Sequence, residues 1–548
     1  VSTVSAPAPV DLAGTRRLVR LAVRRDRYTI PAWWAGLGLF VAATTAMFTE
    51  DLARQEDLLT ETELVATNAG MRLIGLTSGP SVGGYLLHRE FVTLAVLAAV
   101  MSTFAVIRHT RQNEELGRAE MLGSTVVGRQ AGLAAGVLVA LAADLGLALV
   151  LGAAIAVNGL SVEGAFLAGA SVAAVGIVWV GLAAVTCQLS ATTRGAAGIA
   201  MGALGVAFVL SGVGNMIGTV DEAGLRVASA WPAWLSPIGW GQQTRPFADA
   251  LWWPLLLALA FAGLLLVVAV ALGSRRDVGR GLWAQRRGPG HARRTLLSPT
   301  GLVWRLQRGV FLAWGVALTV FGLIFGSLTE QIQGLEGDAK EWWTEMGGTA
   351  EVVAAYQVSM IQMAGMFVAM YAVQALLRMR VDELGGTLEP LLAAGVTRIR
   401  WWWAHLVTVV GGSAALMVGF AAGMGLATGQ VVGDTGVQVR DLLWAGLVQL
   451  PGVVVVAAAV VAIVCLVPRW SVPASWALLL AALVAGPMFG PGLKLPTWVQ
   501  DLSPFTHSPQ APAVPVDAVP LLALGGAAVA LAGAALLVLR RRDLALPA

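Results

Sequence analysis

The sequence predicts an all-α polytopic membrane protein with about 12 transmembrane helices in two parallel six-helix repeats. Three observations carry that expectation. The 548 residues are 57% hydrophobic and only 12% charged, whereas a soluble chain carries roughly 25% charged residues. Apolar stretches of about 20 residues, enough to cross a bilayer, recur along the chain. Two sequence echoes also lie at nearly equal offsets, one member in each half. The composition excludes a soluble multidomain enzyme, and its hydrophobicity excludes disorder.

Taken in order, residues 1–30 hold Pro7, Pro9 and six arginines without an early apolar core, so no cleavable signal is expected. Arg16, Arg17, Arg20, Arg24, Arg25 and Arg27 alternate with Leu18, Leu21 and Val23. That pattern predicts an amphipathic interfacial helix over 12–28, drawn to anionic lipid. Spans are expected at 32–49, 91–107, 131–157, 163–188, 196–216 and 251–273, completing a first half over 1–273. A basic linker, 274–298, leads to the second half, 299–548. There Leu302, Val303, Trp304, Arg305, Leu306 and Arg308 predict a second interfacial helix over 299–309. Spans at 310–328, 354–377, 402–427, 441–467, 473–489 and 519–539 follow. In lipid these must be helices, because a helix satisfies its own backbone polar groups. The 65 glycines suit close helix packing. Trp33, Trp34, Trp252, Trp253 and Trp401 to Trp403 fall near span ends, as interfacial anchors do.

The charges set the orientation. With the N-terminus in the cytoplasm, Arg54, Arg72, Arg89, Arg226, Arg245, Lys340, Arg440 and Lys494 fall outside, and the other 28 of 36 basic residues fall inside. The linker arginines, Arg286 and Arg287 among them, and Arg540 to Arg542 lie on the inner side, while the acidic loops 50–63 and 330–351 face out. A multi-pass protein of the cell inner (plasma) membrane is therefore expected, with both termini cytoplasmic. The formal charge of +4 is too balanced to suggest nucleic acid as a partner.

The repeat is legible at two places. Glu114-Glu115-Leu116-Gly117-Arg118-Ala119-Glu120 in the first half is echoed by Glu383-Leu384-Gly385-Gly386-Thr387-Leu388-Glu389 in the second. The same offset pairs Arg111 with Arg380 and Arg129 with Arg398. At almost the same separation, Trp231, Leu235-Ser236-Pro237 and Gln243 are echoed by Trp498, Leu502-Ser503-Pro504 and Gln510. Six spans per half is an even number, so the halves share one membrane orientation.

Catalytic chemistry finds no support. There is no phosphate-binding loop, and the two lysines, Lys340 and Lys494, are both expected to face outward. His88, His109, His291, His405 and His507 show no metal-ligand spacing. Cys187 and Cys465 lie in apolar stretches, which argues against a disulfide framework. The charged loop 108–130 reads instead as a small surface helix that another protein can grip. Its glutamates Glu114 and Glu120 flank Gly117, and Arg118 stands four residues after Glu114, at pairing distance on a helix. Inside the membrane, Asp144 is expensive unless it faces a cavity or the bundle interior. Tyr356, Gln357, Gln362, Tyr371 and Gln374 in the eighth span either line a substrate path or bond neighbouring helices.

An interfacial helix, two spans, the Glu-Glu-x-Gly-Arg-x-Glu loop, three spans, a Trp/Ser-Pro external segment and a last span together resemble the ABC-2 type permease unit. The whole chain, over 15–542, resembles the fused twelve-span permeases of actinobacterial polyketide-antibiotic or tetronasin exporters, with a type V exporter-like fold. The resemblance implies a non-catalytic transport subunit without cofactors of its own, working with two copies of a separate ABC ATP-binding subunit that holds ATP and Mg2+. Coupling to that subunit would involve loops 108–130 and 378–400, through Arg111, Glu114, Glu115, Gly117, Arg118 and Glu120, and through Arg380, Asp382, Glu383, Gly386 and Glu389. The second copy departs from the pattern, with Leu384 for Glu115 and Thr387 for Arg118, which implies unequal coupling by the halves. Membrane lipids and a lipophilic or amphipathic small molecule are the other expected partners. The competing readings are a proton-coupled secondary multidrug transporter, for which Asp144 is the intramembrane carboxylate, and a membrane scaffold without transport.

Overall fold

The computed structural model describes residues 12–277, 279–283, 290–334, 344, 351–487, 490 and 495–542. The chain divides into two units, Val1–Arg287 and Gly288–Ala548. It is an all-α polytopic membrane protein: eleven described helices are long and apolar enough to cross a bilayer.

In the first unit the helix Thr15–Asp26 buries Ala22 and Asp26 and turns its arginines outward. Arg27 and Tyr28 separate it from span one, Thr29–Asp51. Spans two to six are Val82–His109, Ala131–Val157, Val162–Leu189, Thr193–Met216 and Trp253–Gly273. Span four is the most buried of these and packs against spans two, three, five and six. Small residues permit that: Gly169 lies so close to the Ala148 carbonyl that a methyl group there would strike it. At the opposite end from the interfacial helix, Thr219–Val220 and Val227–Ala228 pair antiparallel. The short helices Trp231–Trp234 and Pro237–Gln242 then lead into span six.

In the second unit, spans seven to nine are Pro299–Ser327, Val352–Leu376 and Arg398–Val432. Span eight is the most buried. Span ten is built from Thr435–Val448 and Leu450–Leu466, jointed at buried Gln449 with Pro451 in the first turn of the second piece. The last span, Ala518–Arg541, packs along Leu450–Leu466.

Two expectations change. The eleventh stretch, 473–489, forms a helix of only 15 residues, Ser471–Ala485. At 1.5 Å per residue that is about 22 Å, short of the roughly 30 Å hydrocarbon core. The segment 299–309 is not a separate interfacial helix but the first turns of the 29-residue helix Pro299–Ser327, because no breaker like Arg27–Tyr28 interrupts it. Lys340, Lys494, Arg286, Arg287 and most of the acidic loop 330–351 lie outside the described residues.

Candidate functional site

The repeated loop begins where span two ends. Arg111–Glu115 forms a five-residue helix, and Gly117, at φ 69°, then turns the chain into a second short helix, Arg118–Gly123. That left-handed conformation suits glycine and disfavours other residues. It also changes the expected pairing. Glu114 and Arg118 face each other only on an unbroken helix, which Gly117 prevents. The Glu114 carboxylate accepts instead from Arg111 at 2.6 Å and from both Nη atoms of Arg276, at 2.6 and 2.8 Å. The Gly279 N–H adds a bond of 3.2 Å. Arg111 is fully buried and also donates to the carbonyl of Cys187. Arg276 donates through Nε to Gln188 at 2.6 Å, and its own carbonyl accepts from Arg129 at 2.8 Å. One carboxylate thus ties together the ends of spans two, four and six.

The second unit builds the same clasp. Glu383 accepts from Arg380 at 3.0 Å and from Arg542. Arg542 also donates to the carbonyls of Val464 and Cys465, at 2.9 and 3.1 Å. Its own carbonyl accepts from Arg398 at 2.6 Å. Gly386 repeats the turn at φ 68°. Arg276 and Arg542, each just past the last span of its half, are the partners that motif reading did not single out. Their signal was the separation between them, which is close to the repeat offset.

The second echo has a structural meaning as well. The Ser236 hydroxyl donates to the Ala207 carbonyl in span five at 2.7 Å. Ser503 donates to the Ala482 carbonyl of the equivalent helix, also at 2.7 Å.

One further anchored carboxylate lies at each loop. Asp26, at the end of the interfacial helix, accepts from Arg108 and lies 2.7 Å from His109 Nε2. Burial pushes its pKa up, but the hydrogen bonds and charges of His109 and Arg108 outweigh that and hold the group below the usual carboxylate range. In the second unit Asp382 accepts from Arg378 at 2.8 Å and lies 3.7 Å from His405. What remains outward differs between the loops. Glu115, Leu116, Arg118, Glu120 and Met121 are exposed on the first, Leu384, Gly385 and Glu389 on the second. Glu115 also accepts from the Thr193 N–H at 3.0 Å, which caps span five.

Within the membrane, Asp144 is fully buried, and the Ser102 hydroxyl lies 2.8 Å from both carboxylate oxygens. Gly176 presses so close that a methyl group would collide with the carboxylate. At the offset of the loop motif, Ser102 and Asp144 correspond to Tyr371 and Ser413. Both of those hydroxyls are buried and have no hydrogen-bond partner among the described residues. Three other polar residues of span eight bond to neighbours. Tyr356 donates to the Phe325 carbonyl at 2.7 Å, Gln357 to Gln438 at 3.0 Å, and Gln374 accepts from Trp314 at 2.8 Å. Gln362 is buried. Among the described residues, no group of three or more His, Cys, Asp or Glu side chains is placed to hold a metal.

A helical membrane protein made of two like units, each fastening a short two-helix loop to the ends of its spans through a buried carboxylate, is the class defined here. The family described as "Multidrug efflux system permease Rv1217c, C-terminal domain" matches residues 16–272 and 296–540, and this chain belongs to it. The chain is similar to the multidrug efflux system permease protein Rv1217c of Mycobacterium tuberculosis (strain ATCC 25618 / H37Rv). The two are 35% identical over 540 residues, covering 97% of this chain and 95% of that protein.

Proposed function

We propose that this chain is the membrane subunit of an ATP-driven, ABC-2 type exporter that moves lipophilic or amphipathic, drug-like compounds out of the cell. ATP and Mg2+ are handled by two copies of a separate ATP-binding subunit on the cytoplasmic side. The observation that carries this reading is the duplicated clasp. Each loop is fixed to the ends of several spans through Glu114 or Glu383, so a push on its outer face moves those spans together. Rigid levers of that kind let binding energy at one site bias a two-state bundle. The relative's description as a multidrug efflux permease supports the substrate class.

The roles of the loop residues then separate. Arg111, Glu114, Arg380, Asp382 and Glu383 hold the levers, Gly117 and Gly386 shape them, and Glu115, Arg118, Glu120 and Glu389 meet the partner. The test is charge reversal on the exposed faces. Glu120→Lys is expected to weaken co-purification with the ATP-binding subunit and to lower ATP-driven transport, with membrane insertion unchanged. Glu389→Lys on the less charged second loop should do less. Unaltered co-purification and transport in both variants would refute the partner surface.

A further inference from the structure

A groove of about 480 Å³ runs beside the first loop, between the interfacial helix Thr15–Asp26, the helix Arg118–Gly123 and the start of span three. Its sides are apolar: Leu18 and Leu21 from the interfacial helix, Met121 and Leu122 from the loop. Leu21 and Met121 are 57% and 67% exposed, so this apolar surface is not covered by the described residues of the unit. Its floor reaches Gly132 and Ala135, in the first two turns of a membrane-spanning helix. The groove therefore begins at the level of the interfacial helix and continues to the depth of lipid chains.

Its rim is cationic. Arg24, Arg25 and Arg118 line it, and among the described residues none of the three has a carboxylate within ion-pair distance. Among the described residues, Arg25 donates to the amide oxygens of Asn113 and Gln112, at 3.1 and 3.3 Å. Burial and the charges of Arg118 and Arg108 hold its pKa below the usual value, outweighing the opposing charge of Asp26. The neighbouring charged groups are already spent, with Asp26 on Arg108 and His109, and Glu114 on Arg111 and Arg276.

We propose that this groove is a binding site for one anionic phospholipid, whose phosphate is held by Arg24, Arg25 and Arg118 and whose acyl chain lies along Leu18, Leu21 and Met121 over Gly132 and Ala135. Arginines suit a phosphate because their planar donors reach two oxygens at once. An acidic segment of a protein partner satisfies the rim but not a floor that lies against a membrane span. The lipid wedges between the interfacial helix and the loop, and so sets the position of the lever.

The experiment uses the full chain purified in detergent and native mass spectrometry of bound lipid, with phosphatidylglycerol and phosphatidylcholine offered in turn. Wild type is expected to retain one phosphatidylglycerol and not phosphatidylcholine. Arg24→Gln with Arg118→Gln, both exposed positions, should reduce retention about tenfold or more, the scale of two lost arginine–headgroup contacts. Arg400→Gln with Arg469→Gln removes equal charge from exposed positions of the second unit and should leave retention unchanged. Equal loss in both double variants, equal retention of phosphatidylcholine, or full displacement by soluble glycerol phosphate would overturn the proposal. Unchanged lipid retention in the groove variant would overturn it as well, whatever that variant does to binding of the ATP-binding subunit through Arg118.

Discussion

Glu114 and Glu383 are at once charged and almost withdrawn from solvent, and each meets two arginines. Removing one partner from such a cluster leaves the others buried and uncompensated, which costs about 3–5 kcal/mol. Glu114→Gln is therefore expected to lower thermal stability in detergent sharply, whereas Glu120→Gln at an exposed position should shift it by no more than about 0.5 kcal/mol. Equal small shifts would contradict the clasp. Asp26 adds a pH dependence. Its pKa is lowered on folding, so its contribution is complete above the ordinary carboxylate value of about 4 and is lost as pH falls through the lower folded value. Thermal unfolding followed from pH 7 down to pH 3 should show a smaller loss in Asp26→Asn than in wild type. For Asp144, the Ser102 hydroxyl can bond an amide as well as a carboxyl group, so Asp144→Asn is expected to fold and to transport at every pH tested. Transport lost in that variant, with the fold intact, would favour obligatory protonation.

At the scale of elements, the glycine turn is what gives each loop its shape. Nothing lies within 4 Å of a methyl group built at Gly117, so Gly117→Ala tests backbone conformation alone. A left-handed residue other than glycine costs about 1–2 kcal/mol. The variant is expected to lose that much stability and to weaken coupling, measured as transport per ATP hydrolysed; unchanged coupling would mean the turn does not set the lever. The loop also shows where sequence reading succeeds and where it stops. The motif, its repeat and most spans were legible, because hydrophobic length and local spacing are written along the chain. The pairing of Glu114 was not, because the i,i+4 rule assumes a continuous helix and Gly117 ends it. Arg276 and Arg542 were hidden for a different reason: each meets its carboxylate through tertiary folding, 162 and 159 residues away. The helix Ser471–Ala485 is shorter than the apolar stretch 473–489 suggested, because composition marks apolar residues but not where a helix ends.

At the scale of the whole molecule, the repeat joins these features. The clasp, the glycine turn and the serine tie all recur in the second unit at a nearly constant offset. The exposed faces of the loops and the pair Ser102–Asp144, replaced by Tyr371 and Ser413, have diverged. A parallel repeat makes a direct topological prediction. Single cysteines at Ser124 and Ala394 should react with an impermeant reagent from one side of the membrane, and cysteines at Ala223 and Arg440 from the other. Native Cys187 and Cys465 are buried and should contribute little background. Labelling of positions 124 and 394 from opposite sides would mean an inverted repeat. The most direct test of an ATP-driven exporter is flux of a fluorescent lipophilic compound into inverted vesicles containing this chain and its ATP-binding subunit. Accumulation is expected to require ATP and to survive collapse of the pH gradient. Accumulation that continues without ATP and stops when the pH gradient is collapsed would contradict it.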